Sequence, residues 1–198
     1  METLKRVRTD ERIILADGGS ALLSGSVMVT ASEPGFIRVD FETSGAPTVM
    51  LRVTEPVELY DGDLIAAGGQ WLRLECSGHD GEPARLHLLD PRGEPMVTFN
   101  LNGPSLSIGR RCGDVVLSHD GLLSGLHLQV LNRPEGTFLR DLGSSNGTWT
   151  MIRPGEILPA GSVIGVDERL YAVLAPPAAV VEPSEDDRTW PIDLHTAA

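Results

Sequence analysis

Leu122-Leu123-Ser124-Gly125 repeats Leu22-Leu23-Ser24-Gly25 at a separation of 100 residues, and the likeness runs on from there. Pro34 answers Pro134, Phe36-Ile37-Arg38 answers Phe138-Leu139-Arg140, and Ser44 and Thr48 answer Ser144 and Thr148. Leu59, Gly62 and Ile65 then answer Leu158, Gly161 and Ile164. Two long copies describe two units of one architecture, not a solenoid of short modules.

Within each copy short apolar runs alternate with Gly, Pro, Asn and Asp. Val27–Val29, Phe36–Phe41, Val49–Val53 and Leu64–Ala67 mark the first copy; Leu86–Leu89, Met96–Leu101, Leu126–Leu131 and Thr148–Ile152 mark the second. Asp61-Gly62, Asn146-Gly147 and Ala160-Gly161 suit tight turns, because Gly accepts the positive φ that such connections demand. No segment keeps a helical period over three turns, so the expectation is an all-β protein of sandwich type. The expected layout is one β domain over 1–75, a linker over 76–83, a second domain over 84–175 and a flexible, acidic, Pro-bearing tail over 176–198.

Composition narrows the function. A net charge of −12 and the absence of a long Lys/Arg run argue against nucleic acid. No stretch approaches the ~20 apolar residues of a membrane span, and Met1-Glu2-Thr3-Leu4-Lys5-Arg6 leads into charge, so a cytoplasmic protein is expected. Lys5 stands alone beside fifteen arginines, a bias expected of a GC-rich, bacterial genome. Cys76 and Cys112 read as free thiols, and the five histidines never fall at ligand spacing, so neither a metal nor a cofactor is expected.

The second copy carries Ile108-Gly109-Arg110, then Ser124-Gly125-Leu126-His127, then Asp141-Leu142-Gly143-Ser144-Ser145-Asn146-Gly147-Thr148. Singly, these have ordinary readings as a strand-end charge, a turn and a hairpin. In this order they resemble the forkhead-associated (FHA) domain, whose pattern is Gly-Arg, Ser-x-x-His and Asn-Gly, over roughly Ala84 to Ala175. The resemblance implies a β-sandwich of about eleven strands, with loops at one end that bind phosphothreonine peptides. A phosphothreonine presents about −1.5 to −2 charges and three acceptor oxygens, which call for an always-charged planar donor with hydroxyl and amide donors beside it. By the resemblance Arg110 supplies the charge, Ser124 and Ser145 supply hydroxyls, and Asn146 clamps the ligand's main chain. Gly109, His127 and Gly147 support the loops.

There are departures. Gly125 stands where the family often has Arg or Asn, leaving Arg111 to supply a second charge. Asp120 would weaken phosphate binding if it pointed inward. The first copy, aligned on Leu-Leu-Ser-Gly, has Val27 opposite His127 and Ala46-Pro47 opposite Asn146-Gly147, so it reads as a degenerate FHA-like unit; Lys5, Arg6 and Arg8 are its remaining cations.

The expected function is a non-enzymatic, phosphothreonine-peptide-binding adaptor in bacterial Ser/Thr-kinase signalling or secretion control. The alternative is a structural assembly subunit using the same fold for phospho-independent contacts. Thr189, followed three places on by Ile192, offers a phosphorylated tail for self-association.

Overall fold

The computed structural model describes residues 11–174 apart from 17, 24, 43–47, 77–82 and 168. The expectations for the linker, the tail with Thr189, the Lys5–Arg8 cations and Ala46-Pro47 lie outside the described residues. Every regular element among the described residues is a strand, as the alternating apolar runs imply. They are β1 (Glu11–Ile14), β2 (Ser20–Leu23), β3 (Val27–Ala31), β4 (Phe36–Phe41), β5 (Val49–Arg52), β6 (Val57–Leu59), β7 (Leu64–Ala67), β8 (Gln70–Glu75) and β9 (Arg85–Leu89). The second half adds β10 (Pro95–Asn100), β11 (Ser105–Gly109), β12 (Val115–Val116), β13 (Leu128–Arg133), β14 (Gly136–Asp141), β15 (Thr148–Met151), β16 (Glu156–Pro159), β17 (Val163–Val166) and β18 (Arg169–Leu174). Gly62, Gly147 and Gly161 have φ of 82°, 83° and 93°, as their turns require.

The sheets do not divide at residues 76–83. One nine-stranded sheet runs β1-β18-β17-β5-β15-β7-β8-β9-β10, faced by a five-stranded sheet, β12-β11-β13-β14-β6, and a four-stranded sheet, β16-β4-β3-β2. Strands of both halves therefore share each layer. The two main cores show how the chain is partitioned. One core draws only on residues from Val53 to Leu139. The other joins Leu15 to Leu51 with Ile152 to Val173. The tandem layout of 1–75 and 84–175 is corrected accordingly: one sandwich, β6 to β15, is inserted within another made of β1 to β5 and β16 to β18.

The physical reason lies in the repeat itself. Several pairings have a counterpart about one hundred residues away, two of them with partners exchanged between the halves. Ile37 pairs Leu158 as Thr137 pairs Leu59; Leu51 pairs Ile164 as Thr150 pairs Ile65; Ile65 pairs Leu72 as Ile164 pairs Tyr171. Both copies offer closing strands of similar apolar pattern, so each sandwich can take its last three strands from the other. The chain enters and leaves the inserted sandwich side by side, through antiparallel β5 and β15, where Leu51 faces Thr150. Val53 N–H donates to the Thr148 carbonyl at 2.9 Å, and Ile152 N–H donates to the Val49 carbonyl at 3.0 Å. Arg153, just past the exit, pairs with buried Asp63 and lies 4.3 Å over the Tyr60 ring.

The register of the repeat also changes. β3 and β4 close at Ala31↔Ile37, whereas β13 and β14 close at Arg133↔Gly136, a tighter turn. Val39 thus answers Leu139, and Val27 answers Leu128, which leaves Ser26 where the second copy has His127. The strands opposite β8 and β18 differ too: β9 runs antiparallel to β8, but β1 runs parallel to β18.

The excised fragment 53–152 is expected to unfold in one cooperative thermal transition with a dispersed amide spectrum. Fragment 84–175 lacks β6, β7 and β8 and is expected to give neither. A folded 84–175 fragment would overturn the nested arrangement.

Candidate functional site

Three loops meet at one end of the inserted sandwich: the segment after β11, the long connection from β12 to β13, and the β14 to β15 connection between the two facing sheets. Their backbones interlock. Arg110 N–H donates to the Ser124 carbonyl at 2.8 Å, and the N–H groups of Arg111 and Cys112 both donate to the Gly125 carbonyl at 3.0 Å. Ser145 N–H donates to Ser124 Oγ at 3.0 Å, and Asn146 Nδ2 donates to the Leu122 carbonyl at 2.7 Å. Gly109 is required where the first two loops touch, because a Cβ there would lie 2.3 Å from the Gly125 carbonyl oxygen.

His127 is the brace. It is fully buried. Its Nδ1 accepts from Ser124 N–H at 3.0 Å, and Nε2 lies 3.2 Å from the Gly147 carbonyl. That pair of partners selects the neutral Nε2–H tautomer, since Nδ1 must accept and Nε2 must donate. Burial pushes the imidazole below its usual range, against the opposing pull of the Gly147 carbonyl, Asp141 and Asp120.

Two carboxylates fix the loops from outside the expected set. Asp141 accepts from the N–H groups of Gly143 and Ser144, the Ser144 hydroxyl at 2.6 Å and the Thr148 hydroxyl at 2.5 Å. Burial raises its carboxyl, but the bonds from Ser144 and Thr148 outweigh burial and hold it below the usual range. An Asp at a strand end before Gly-Ser-Ser is the sequence signal for such a loop. Asp120 turns away from the ligand side. It accepts from Gly69 N–H at 2.8 Å and Gln70 Nε2 at 2.9 Å, so the first half of the chain anchors the Ser124 loop. Burial again raises its carboxyl, and the bonds from Gln70, Gly69, Leu122 and Leu123 bring it below the usual range.

The expected site residues are placed as follows. Ser124, Ser145 and Asn146 are brought together directly, and Arg110 joins them through its backbone. Asn146 has a role beyond the expected one, for one amide N–H ties its loop to Leu122 and only the remaining N–H and Oδ1 face outward contacts. Arg110 is half-buried, and its Nε is a buried polar atom without a hydrogen-bond partner among the described residues. The Arg111 guanidinium lies over Gly125: a Cβ on Gly125 would sit 3.2 Å from both Arg111 Nε and Nη2. It fills the space that a side chain at position 125 would take. Arg52, near the end of β5, was missed by sequence reasoning; a Cβ on Gly147 would lie 2.9 Å from its Nε. No local motif marks it, because only the strand exchange brings it here.

Acid should loosen this end of the molecule. His127 binds its proton less readily folded than unfolded, where its pKa is about 6.5. Its stabilising contribution is therefore complete above that value and lost as pH falls through the lower folded value. Asp120 and Asp141, also depressed, add a second loss below their unfolded values of about 3.9. Urea unfolding at pH 8, 6.5 and 5 is expected to give falling stability, with the His127 ring nitrogens still showing the neutral Nε2–H form at pH 6.5. A half-protonated His127 at that pH would contradict the brace.

Comparison with known families gives a match to the FHA domain model over residues 106–166. No curated protein and no solved structure matches the chain. The matched span runs from β11, which leads into Arg110, through all three loops and on into β16 and β17 of the outer sandwich. Residues 106–166 therefore match the FHA domain, a family of phosphopeptide-binding interaction modules.

Proposed function

We propose that this FHA domain binds phosphothreonine peptides at the three-loop end, with Arg110 as the principal phosphate contact. The observation that carries the reading is the unpartnered, buried Nε of Arg110. A buried donor left without an acceptor costs about 1–3 kcal/mol, a cost that a phosphate oxygen would remove while adding a charge-assisted bond. Around it the Ser124 and Ser145 hydroxyls, the open Asn146 atoms and the Arg111 guanidinium supply the further donors a dianion needs. Arg111 takes the part of the side chain missing at Gly125. Gly109, His127 and Gly147 hold the loops in register and touch no ligand.

On this reading the protein is a non-enzymatic adaptor in bacterial Ser/Thr-kinase signalling or secretion control, working in the cytoplasm on phosphorylated partners. The outer sandwich is a degenerate copy of the same unit. A tail phosphorylated at Thr189 is one partner of suitable chemistry. A second reading, phospho-independent assembly through the outer sandwich, is favoured by Leu22, Met28, Phe36 and Ile157. These are 39–55% exposed on the open face of β2, β3, β4 and β16.

Arg110→Ala is expected to weaken a phosphothreonine peptide at least tenfold, equivalent to about 1.4 kcal/mol, with an unchanged melting temperature. Titration calorimetry against phosphorylated and plain peptides reads this directly, and equal affinity for the two would end the proposal. A pull-down before and after phosphatase treatment separates the two readings: loss of the partner supports the first, retention the second.

A further inference from the structure

We propose that the segment 176–198 docks across the outer face of the nine-stranded sheet, with Trp190, Ile192 and Leu194 against Trp149. The inference stands independently of the phosphothreonine reading. It is carried by a core that has only one side. Met50, Ala66, Trp149 and Leu170 are 2–4% exposed and pack together, with Trp71 and Met151 against them. All six belong to strands of the nine-stranded sheet, and none to the two sheets that face it. A buried apolar cluster is built from two packed layers. Among the described residues this one has a single layer.

The attitude of Trp149 makes the gap specific. A Cβ on Gly147 would lie 3.3 Å from its Nε1, and a Cβ on Gly165, two strands away across β5, would lie 3.7 Å from its Cζ3. The indole therefore lies flat on the sheet and turns one ring face outward. A ring so placed falls to 4% exposure only beneath a second layer.

Pattern, reach and charge identify the cover. The sequence after β18 includes Trp190-Pro191-Ile192-Asp193-Leu194, apolar at every second side chain that would share one face of an extended segment. β18 ends at Leu174, three strands from β15 in the same sheet. Strand spacing and rise put Trp149 about 20 Å from that end, and the chain from Leu174 to Trp190, as flexible coil, spans about 22 Å. Strand alternation places Arg12, Arg52 and Arg73 on the same outer face as Trp149. None of the three has an ion pair among the described residues, and Glu75 on that face is already taken by Arg85 and His87. Segment 176–198 carries five acids against one arginine, net −4, whereas residues 1–10 carry three cations against two acids and would be repelled. Tethering also holds the segment at an effective concentration of about millimolar, which a second copy does not match in dilute solution.

Hydrogen exchange on the intact chain reads the proposal directly: amides of residues 189–194 are expected to exchange at least about tenfold more slowly than an unstructured chain. Trp190→Phe and Trp190→Ala each leave Trp71 and Trp149 as the remaining indoles. The Phe variant is expected to keep their acrylamide quenching low and the Ala variant to about double it, since an indole bared on one face regains roughly half its collisional surface. Replacing Glu185, Asp186 and Asp187 by their amides should raise quenching in the same direction. Unstructured-chain exchange over 189–194, or equal quenching in the two Trp190 variants, overturns the proposal. Quenching that rises only on dilution, with a dimer in sedimentation, gives the face to a second copy and overturns it as well. Unchanged circular dichroism in each variant excludes unfolding as the cause.

Discussion

Antiparallel pairing of β5 with β15 is the constraint on which the rest of the molecule depends. At the Leu51↔Thr150 pair the chain passes from one sandwich to the other and, one hundred residues later, back again. Because both crossings lie in adjacent strands of a continuous sheet, neither needs a long linker, and the backbone groups at the crossings satisfy one another. Trp149, Met50, Ala66 and Leu170 form a small separate core on the face of the sheet away from the two main cores. The exchange joins two units of similar design into one folding problem, since each core contains strands distant in sequence.

That constraint reaches the functional end. Asp120 anchors the Ser124 loop to the turn at Gly69 and Gln70, a turn belonging to strands from the other half. His127 couples Ser124 to Gly147, and Gly147 is held against Arg52 from β5. Loops built on rigid strands and tied by buried groups hold donors in place before a ligand arrives, so little ordering entropy is lost on binding. The carboxylates Asp120 and Asp141 hydrogen-bond to loop groups and not to Arg52, Arg110 or Arg111.

Much of the fold was legible. Runs such as Val27–Val29, Leu64–Ala67 and Leu126–Leu131 marked strands, the last observed at Leu128–Arg133, because apolar residues at strand spacing suit a sheet with a buried face. β2, β6 and β16 escaped notice, since three or four residues with two or three apolar side chains carry no measurable period. The repeat was visible, but its register across β3 and β4 was not, since Val27 answers Leu128 and Val39 answers Leu139 and the β3–β4 and β13–β14 turns differ in length. In the site, Arg110, Ser124, Ser145 and Asn146 stood out by their order along the chain. The inward or outward aim of Asp120 could not be read, as it depends on where Gly69 and Gln70 come to lie.

Local chemistry, then, determined that this chain forms strands, that they make sandwiches, and that one copy carries a guanidinium, hydroxyls and an amide in an order fit for a phosphorylated ligand. Such properties follow from neighbours within a few residues, where periodicity and turn preference act. Which strands close which core was decided only in three dimensions. Val57–Leu59 and Glu156–Pro159, or Leu64–Ala67 and Val163–Val166, are near-equivalent partners, so local preference does not choose between tandem and nested pairings. That choice rests on the summed packing of both cores and on the hydrogen bonds at β5 and β15, and it alone brings Arg52 to the rim of a site spelled out in the other half.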